Sequence, residues 1–323
     1  MALEQRRGLV GVSFLDNALY MVEVEVVGGQ YQINKIARQT MELPFDVRQH
    51  NNLEATDRFS EHLNALAKAN DIGFPGTSFS LDSQLVMVKK VPVDIGLSEI
   101  DMREQVTWEV EQFSRESEDK FNIDFSQLAI DRQRNSKELL IVAVRKAIID
   151  LIVKIFSATN LKLRYVDVNI FAAFRAIQAN YEIQKDEKIA LVDISQNKVV
   201  LSLMKGSEFI LSNEFTFQND SNEQDGAFPT EEELSKLISK EIRRLILDHK
   251  LGENIEDLDR VFLFGEMVKD EVLETLQNFY DVRIDKANPF RRIRFSSNVK
   301  IDEVTWAKPE TFVVSIGSAL REI

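Results

Sequence analysis

Side chains able to trade protons, attack a substrate or hold a metal near neutral pH are scarce in this chain. It has three histidines and no cysteine. His50, His62 and His249 stand far apart in polar surroundings, so neither a metal-ligand spacing nor a nucleophile-base pairing can be drawn from them. Without cysteine the protein uses no disulfide and no thiolate metal site, which points weakly to a cytosolic address. What remains are carboxylates and glycines at the ends of apolar runs: Asp16, Asp193, Gly28, Gly29, Gly206 and Gly265. By themselves these are turn residues, because Asp and Gly accept the backbone angles that reverse a chain. Glu241 and Arg244, three apart on a helical pattern, are by themselves a solvated surface pair. Trp108 and Phe113 are expected in the core. No catalytic constellation is present.

The elements that carry those turns occur twice. Leu9 to Ile36 (LVGVSFLDNALYMVEVEVVGGQYQINKI) and Ile189 to Phe215 (IALVDISQNKVVLSLMKGSEFILSNEF) are each an apolar run, a short polar turn, a second run, a glycine turn and a third run. Alternation and turn chemistry make each a three-strand meander. A repeat of this size divides the chain into two halves, and 323 residues exceed what one core usually serves. No apolar run approaches the length of a membrane span, and the start of the chain lacks the pattern of a secretory signal. A net charge of -13 leaves no basic face for nucleic acid, so no nucleic-acid partner is expected.

After the first meander, Met41 to Asn52 is a polar connection containing Pro44. Thr56 is placed to cap a helix carrying Phe59, Leu63, Leu66 and Ala67. Gly73 to Gly76 breaks the chain before strands at Thr77 to Leu81 and Leu85 to Val93. Ser98 to Asp101 caps a helix with the stripe Met102, Val106, Val110 and Phe113. Strands at Phe121 to Ile130 and Glu138 to Arg145, a helix at Ala147 to Ala158, a strand at Leu161 to Val168 and a helix capped by Asn169 complete the half. The run of helix, two strands and helix has the look of an inserted subdomain. In the second half, Gln218 to Gly226 is a polar loop, Thr230 and Glu233 form a capping box, and a long apolar stripe ends at Gly252. A buried strand, Asp259 to Phe264, leads to Gly265 and a helix at Met267 to Phe279. A short strand at Val282 to Ile284 and a terminal helix from Phe312 to Arg321, with Gly317 inside it, finish the chain.

This order resembles the actin-like ATPase plan, the ribonuclease H-like α/β fold with two duplicated lobes. More specifically the chain resembles the type IV pilus assembly PilM family, related to the cell-division protein FtsA. The likeness rests on Val91-Pro92, on Glu104 to Gln112 (EQVTWEVEQ), Phe121 to Asp124 and Ile141 to Lys146, and on Leu161 to Arg175 and the ending Ile316 to Arg321. FtsA itself fits less well, since Ile323 follows without a basic amphipathic tail. The resemblance implies residues 1–82 plus 160–184 as the first lobe, 83–159 as the insertion and 185–323 as the second lobe.

It also implies a nucleotide cleft in which the meander turns hold phosphates, an aspartate orients hydrated Mg²⁺ and glycines admit the anion to backbone N–H groups. Carried over position by position, that cleft is degraded. Ser13 stands at the aspartate position of the first turn, Leu15 at a glycine and Asp16 at a threonine. In the second turn Asp193 keeps the acidic position, the Mg²⁺ contact if nucleotide binds, but Ser195 replaces a glycine. Only Gly265 survives of the adenosine-side glycines in Phe264-Gly265-Glu266-Met267, and Glu241 and Arg244 match an E-x-x-R pair that edges the adenosine in relatives. The expected cofactor is therefore none, or weakly held ATP with Mg²⁺.

Three functions follow from the resemblance. The first is a cytoplasmic scaffold whose groove between first lobe and insertion takes the cytosolic N-terminal peptide of a bitopic, PilN-like inner-membrane protein. Glu104, Trp108, Glu111 and Phe113 would be its contacts, and membrane association would come only through that partner. The cytosolic domain of a type II secretion platform is a cousin of this reading. The second is an active ATPase switch. The third, a sugar or acyl kinase, lacks both a substrate domain and a general-base aspartate. Self-association stays open.

Overall fold

The computed structural model describes residues 8–42, 53–73, 76–131, 135–216, 229–299, 301 and 303–321. The expected connection from Met41 to Asn52 with Pro44, and the polar loop Gln218 to Gly226, lie outside these residues apart from Met41 and Glu42.

Both meanders form at the expected places. β1 (Gly8–Leu15), β2 (Ala18–Val27) and β3 (Gln30–Thr40) pair antiparallel, as do β9 (Lys188–Ile194), β10 (Lys198–Lys205) and β11 (Glu208–Thr216). The β2–β3 turn is two glycines with φ of 57° and 76°, the left-handed pair a tight hairpin needs. In the first lobe, α1 (Leu53–Ala69), β4 (Thr77–Leu81), β8 (Leu163–Val168) and α4 (Asn169–Asn180) complete the unit. In the second, α5 (Glu231–Asp248), β12 (Arg260–Phe264), α6 (Asp270–Phe279) and β13 (Arg283–Lys286) play the same parts. The sheet orders, β14-β3-β2-β1-β4-β8 and β11-β10-β9-β12-β13, are the same five-strand pattern written twice. The first gains a sixth strand from the second half, β14 (Arg294–Phe295), which lies parallel to β3.

A third sheet, β5-β7-β6, is inserted between β4 and β8. It consists of β5 (Val86–Asp94), β6 (Phe121–Asp131) and β7 (Ser136–Arg145). α2 (Glu99–Ser114) covers one of its faces through Val106 and Val110, packed with Val91, Val93, Leu139, Ile141 and Ala143. The following helix, α3 (Lys146–Ser157), was expected inside the 83–159 insertion. Its apolar face, Leu151, Ile152, Ile155 and Phe156, instead joins the first-lobe core, so the added sheet and its helix occupy 86–145. Phe113 is also displaced from the expected stripe: it lies at the end of α2 and is 58% exposed, and Trp108, expected in the core, is 52% exposed. α2 is short against its sheet, and only its two central valines are fully covered.

Other boundaries moved for local reasons. Thr56 lies within α1 and is buried, not at its cap. Val168, not Asn169, is the cap residue of α4. α5 ends at His249, with Lys250 at φ 55°, ahead of Gly252. Gly265 precedes an irregular turn, and α6 begins only at Asp270. α7 (Glu303–Ala307) was not foreseen, and the terminal segment is a single 3-10 turn before α8 (Val313–Ala319).

The two lobes meet through α4 and α8. One face of the second sheet, with Ile189, Leu191, Phe262 and Phe264, belongs to the same apolar core as the first lobe, while its other face packs under α5 and α6. α8 crosses onto both β1 and α4 by backbone contact. A Cβ on Gly317 would stand 1.7 Å from the Ala172 carbonyl oxygen, and one on Gly11 would stand 1.9 Å from that of Ser315. No side chain can occupy either gap without parting the elements. Gly317→Ala should therefore cost about 3 kcal/mol or more, the upper range for overpacking a rigid site. Gly28→Ala, where the space is open but φ is positive, should cost only about 1–2 kcal/mol. Urea midpoints of the two variants check this ordering, and equal losses would refute it.

Candidate functional site

Two concave regions lie beside the duplicated turns and the insertion. The first is the cleft between the lobes. The β1–β2 turn brings Asp16, at φ 51°, against the β9–β10 turn, and both Asp16 carboxylate oxygens accept from the Gln196 N–H at 3.2 Å. An anion-seeking backbone donor is thus met by a carboxylate of the protein itself. Nearby, the Lys198 ammonium reaches both oxygens of Asp82 at 2.7 and 2.8 Å and Glu214 at 3.3 Å, tying the second lobe to the end of β4. Across the cleft, Glu266 accepts from the Tyr20 hydroxyl and pairs with Arg38 at 3.1 Å. These links close the gap with the protein's own charges.

Asp193 ends β9 in the middle of this arrangement. It is buried, and its Oδ1 and the buried Ser13 Oγ find no hydrogen-bond partner among the described residues. Burial, with the neighbouring Asp82 adding to it, pushes the Asp193 carboxyl up to about 8; taking a charge out of water favours the neutral acid. Burial also raises Asp16. Gly265, at φ 109°, leaves no room: an added Cβ would stand 2.5 Å from the Ile194 carbonyl oxygen and 2.6 Å from Asp193 Oδ1. Ser195 is buried and its N–H donates to the Lys198 carbonyl at 2.9 Å. Ser13, Asp193, Ser195 and Gly265 are therefore together, because β1, β9 and β12 end at one place. Glu241 and Arg244 pair with each other on α5, Nη2 to Oε2 at 2.6 Å. Among the described residues no group of three or more His, Cys, Asp or Glu is placed to hold a metal. His62 bonds Gln39 at 3.1 Å, and His249 ends α5.

The second region is a groove of about 480 Å³ between the first lobe and the inserted sheet. Because strand side chains alternate, Leu140, Val142 and Val144 of β7 point away from α2 and form one wall, with Val166 and Phe171 opposite. β6 is the free edge of the sheet and sets Asn122 and Asp124 at the rim. At one end Arg175 and Arg321 clamp the buried Asp167, at 2.8 and 3.1 Å, and Arg175 also donates to the Gly317 carbonyl at 2.7 Å. Glu104, Trp108, Glu111 and Phe113 do not line this groove. They sit on α2, beyond the opposite face of the sheet, and Phe113 borders a separate hollow of about 570 Å³ with Met87, Phe121 and Ile148. The groove lies where it was expected, between first lobe and insertion, but the contacts expected on α2 do not line it; its wall is the apolar alternation of β7, which serves packing on both faces.

A family model described as type IV pilus assembly protein PilM matches residues 11–225. The chain belongs to the PilM family. A solved PilM-PilN type IV pilus biogenesis complex resembles it with TM-score 0.77 at 16% identity, covering 97% of this chain and 98% of that one. Weaker likenesses are a Bacteroides thetaiotaomicron protein with an actin-like ATPase fold (TM-score 0.49, 10% identity, 86% and 90% covered) and the cytoplasmic domain of EpsL, an inner-membrane component of the Vibrio cholerae type II secretion system (0.46, 10%, 97% and 93%). This chain is thus a member of a family of type IV pilus assembly proteins. No described helix is long and apolar enough to cross a membrane.

The buried aspartate of this family member gives a test of the cleft's electrostatics. Unfolded, Asp193 ionises near 3.8; folded, it keeps its proton to about 8. Between those values the folded state holds a proton that the unfolded state has shed, so this group's contribution to stability falls as pH rises. Asp193→Asn should therefore gain stability relative to the parent from about pH 5 to about pH 9. Parallel urea-midpoint profiles would contradict the assignment.

Proposed function

We propose that this chain is a cytoplasmic scaffold of the pilus assembly platform, binding the cytosolic N-terminal peptide of a PilN-like, single-span inner-membrane protein. The groove between first lobe and inserted sheet carries this reading. It joins an unpaired strand edge, β6, to an apolar floor and a cationic end. An extended peptide added to such an edge gains main-chain hydrogen bonds, and alternate side chains enter the apolar trough. The Arg175 and Arg321 guanidinia, held by Asp167, keep donor capacity for peptide carbonyls or a carboxylate. The resemblance to a chain solved in complex with PilN supports the partner class. Membrane association then comes through the partner.

The cleft supports a scaffold over a switch. A triphosphate approaching the Gln196 N–H has to displace Asp16. It would also meet Asp82, Asp193 and Glu214 with one ammonium among them, already shared by Asp82 and Glu214. Leu15 is buried where bare backbone would be needed. These residues do not fit a magnesium nucleotide well, and nucleotide binding is weak or absent in this reading; hydrolysis is not its purpose.

Calorimetry tests both halves. A synthetic peptide covering the cytosolic start of the PilN-like protein should bind with Kd of about 1–10 μM, roughly 7–8 kcal/mol. Val142→Asp, which puts a charge on the wall, and Asn122→Trp, which fills the rim without touching the core, should each weaken it at least about tenfold, or about 1.4 kcal/mol. Mg-ATP at tens of micromolar should give no saturable heat. Unchanged peptide affinity in both folded variants would sink the groove assignment, and tight Mg-dependent nucleotide binding would sink the scaffold reading.

A further inference from the structure

The groove keeps about 480 Å³ open between the inserted sheet and the first lobe, so its walls need a support other than their contact with each other. The inserted sheet is rooted at one end. Its chain enters at Val86 and leaves through Val144 and Arg145; Val86 and Val144 are register partners, and both belong to the first-lobe core. Lys90 stands about 13 Å farther along β5, at the usual rise of about 3.3 Å per residue. Its register partner is Leu140, a wall residue of the groove, and directly opposed residues of an antiparallel pair project from the same face. Lys90 therefore lies on the groove side of the sheet, well out from the root.

What Lys90 reaches is the other lobe. β5 is one edge of the inserted sheet and β11 one edge of the five-stranded sheet, and no backbone ladder joins them among the described residues. Side chains do. The partly buried Lys90 ammonium holds Glu208 of β11 at 2.8 Å and Glu138 of its own sheet at 2.7 Å, and the Gln84 amide donates to Glu214. The residue after Glu208, Phe209, is buried, and its ring meets that of Phe171 edge-on with centroids 5.4 Å apart. Phe171 belongs to the α4 wall of the groove. Two consecutive residues of the second lobe thus touch the two facing walls. We infer that the start of β11 is the spacer of the groove: Glu208, through Lys90, holds the inserted sheet, Phe209 holds α4, and the second lobe sets the groove's width and with it the fit of an extended peptide. The inference rests on the groove being the peptide site, and it gives β11 a part in recognition although β11 does not line the groove. An ion pair of this exposure contributes modestly to stability, so losing it loosens the sheet without unfolding the chain.

The chain has no cysteine, so spin labels can be placed at Asp124→Cys on the β6 rim and at Gln178→Cys on α4, which follows Phe171 and Arg175 along one helix face. Both positions are exposed. Double electron–electron resonance on the full chain then reads the separation of the walls. Glu208→Gln should broaden it. Glu138→Gln, which cuts only the pair inside the inserted sheet, should leave it unchanged, and exchanging the partners, Lys90→Glu with Glu208→Lys, should narrow it again. In calorimetry with the PilN-like peptide, Glu208→Gln should weaken binding about three- to tenfold, and the exchanged pair should recover most of the loss. Recovery on exchange is a result that a misfolded variant cannot give. Equal distance distributions in the parent and Glu208→Gln, the same broadening in Glu138→Gln, no recovery on exchange, or a widened groove that binds the peptide unchanged would each overturn the inference. A parent that binds no peptide removes the proposed occupant, and the distances then decide the spacer alone.

Discussion

The architecture depends on one contact of bare backbone, where α8 lies against α4 and β1 with no side chain between them. Gly317 and Gly11 admit it, and Ala172, Ala173 and Ala176 keep the α4 surface low. Close packing of this kind permits little sliding, since dense interiors transmit rather than absorb displacement. The position of α8 fixes how the second sheet meets the first-lobe core. It therefore fixes the distance across the nucleotide-type cleft. It also sets one end of the groove beside the inserted sheet, because the Gly317 carbonyl and Arg321 both belong to this segment and meet Arg175 and Asp167 there. Cleft and groove are two sides of one helix crossing.

That coupling bears on how the cleft keeps its shape. In a nucleotide-binding cleft of this plan, phosphate bridges two turns that otherwise repel or gape. Here Asp16 reaches from one turn to the backbone of the other, Lys198 joins Asp82 to Glu214, and Glu266 joins Tyr20 and Arg38. The Asp16–Gln196, Lys198–Asp82 and Glu266 links are charge-assisted hydrogen bonds between lobes, the kind that holds geometry well, while Lys198–Glu214 braces β10 against β11 within the second lobe. The neutral Asp193 completes the arrangement: a fifth carboxyl group can be tolerated amid these acids because burial keeps its proton on.

Much of the fold could be followed in the sequence because duplication and turn chemistry are local signals. Gly28-Gly29 and the polar breaks at Asp16 and Gln196 fix hairpins whatever the rest of the chain does, and the Thr230–Glu233 box starts α5 at the expected residue. Element ends that depend on tertiary contacts were not legible. Asn169 has a capping side chain, yet the helix begins on it, since its neighbours Val168 and Ile170 are drawn into the core. β14 is two residues long and exists only because β3 offers an edge. Trp108 and Phe113 have core chemistry, but whether a helix covers or presents them depends on which of its faces meets the sheet and over what length, which no spacing reveals.

The candidate site divides in the same way. Ser13, Asp193, Ser195 and Gly265 were grouped from the sequence only through the family resemblance, which placed them at the turns and strand ends of the two repeats. What those residues do with each other could not be read there, since Asp16 bonding to Gln196 spans 180 positions and depends on the closeness that α8 imposes. The lining of the groove was hidden for a different reason. A strand such as β7, with apolar residues on both faces, reads as one buried between two layers, and the sequence alone cannot say that one of those layers is incomplete. In this chain the second layer is incomplete over Leu140 and Val142, beside β6, while Val144 is drawn into the first-lobe core, and an apolar trough remains between the two.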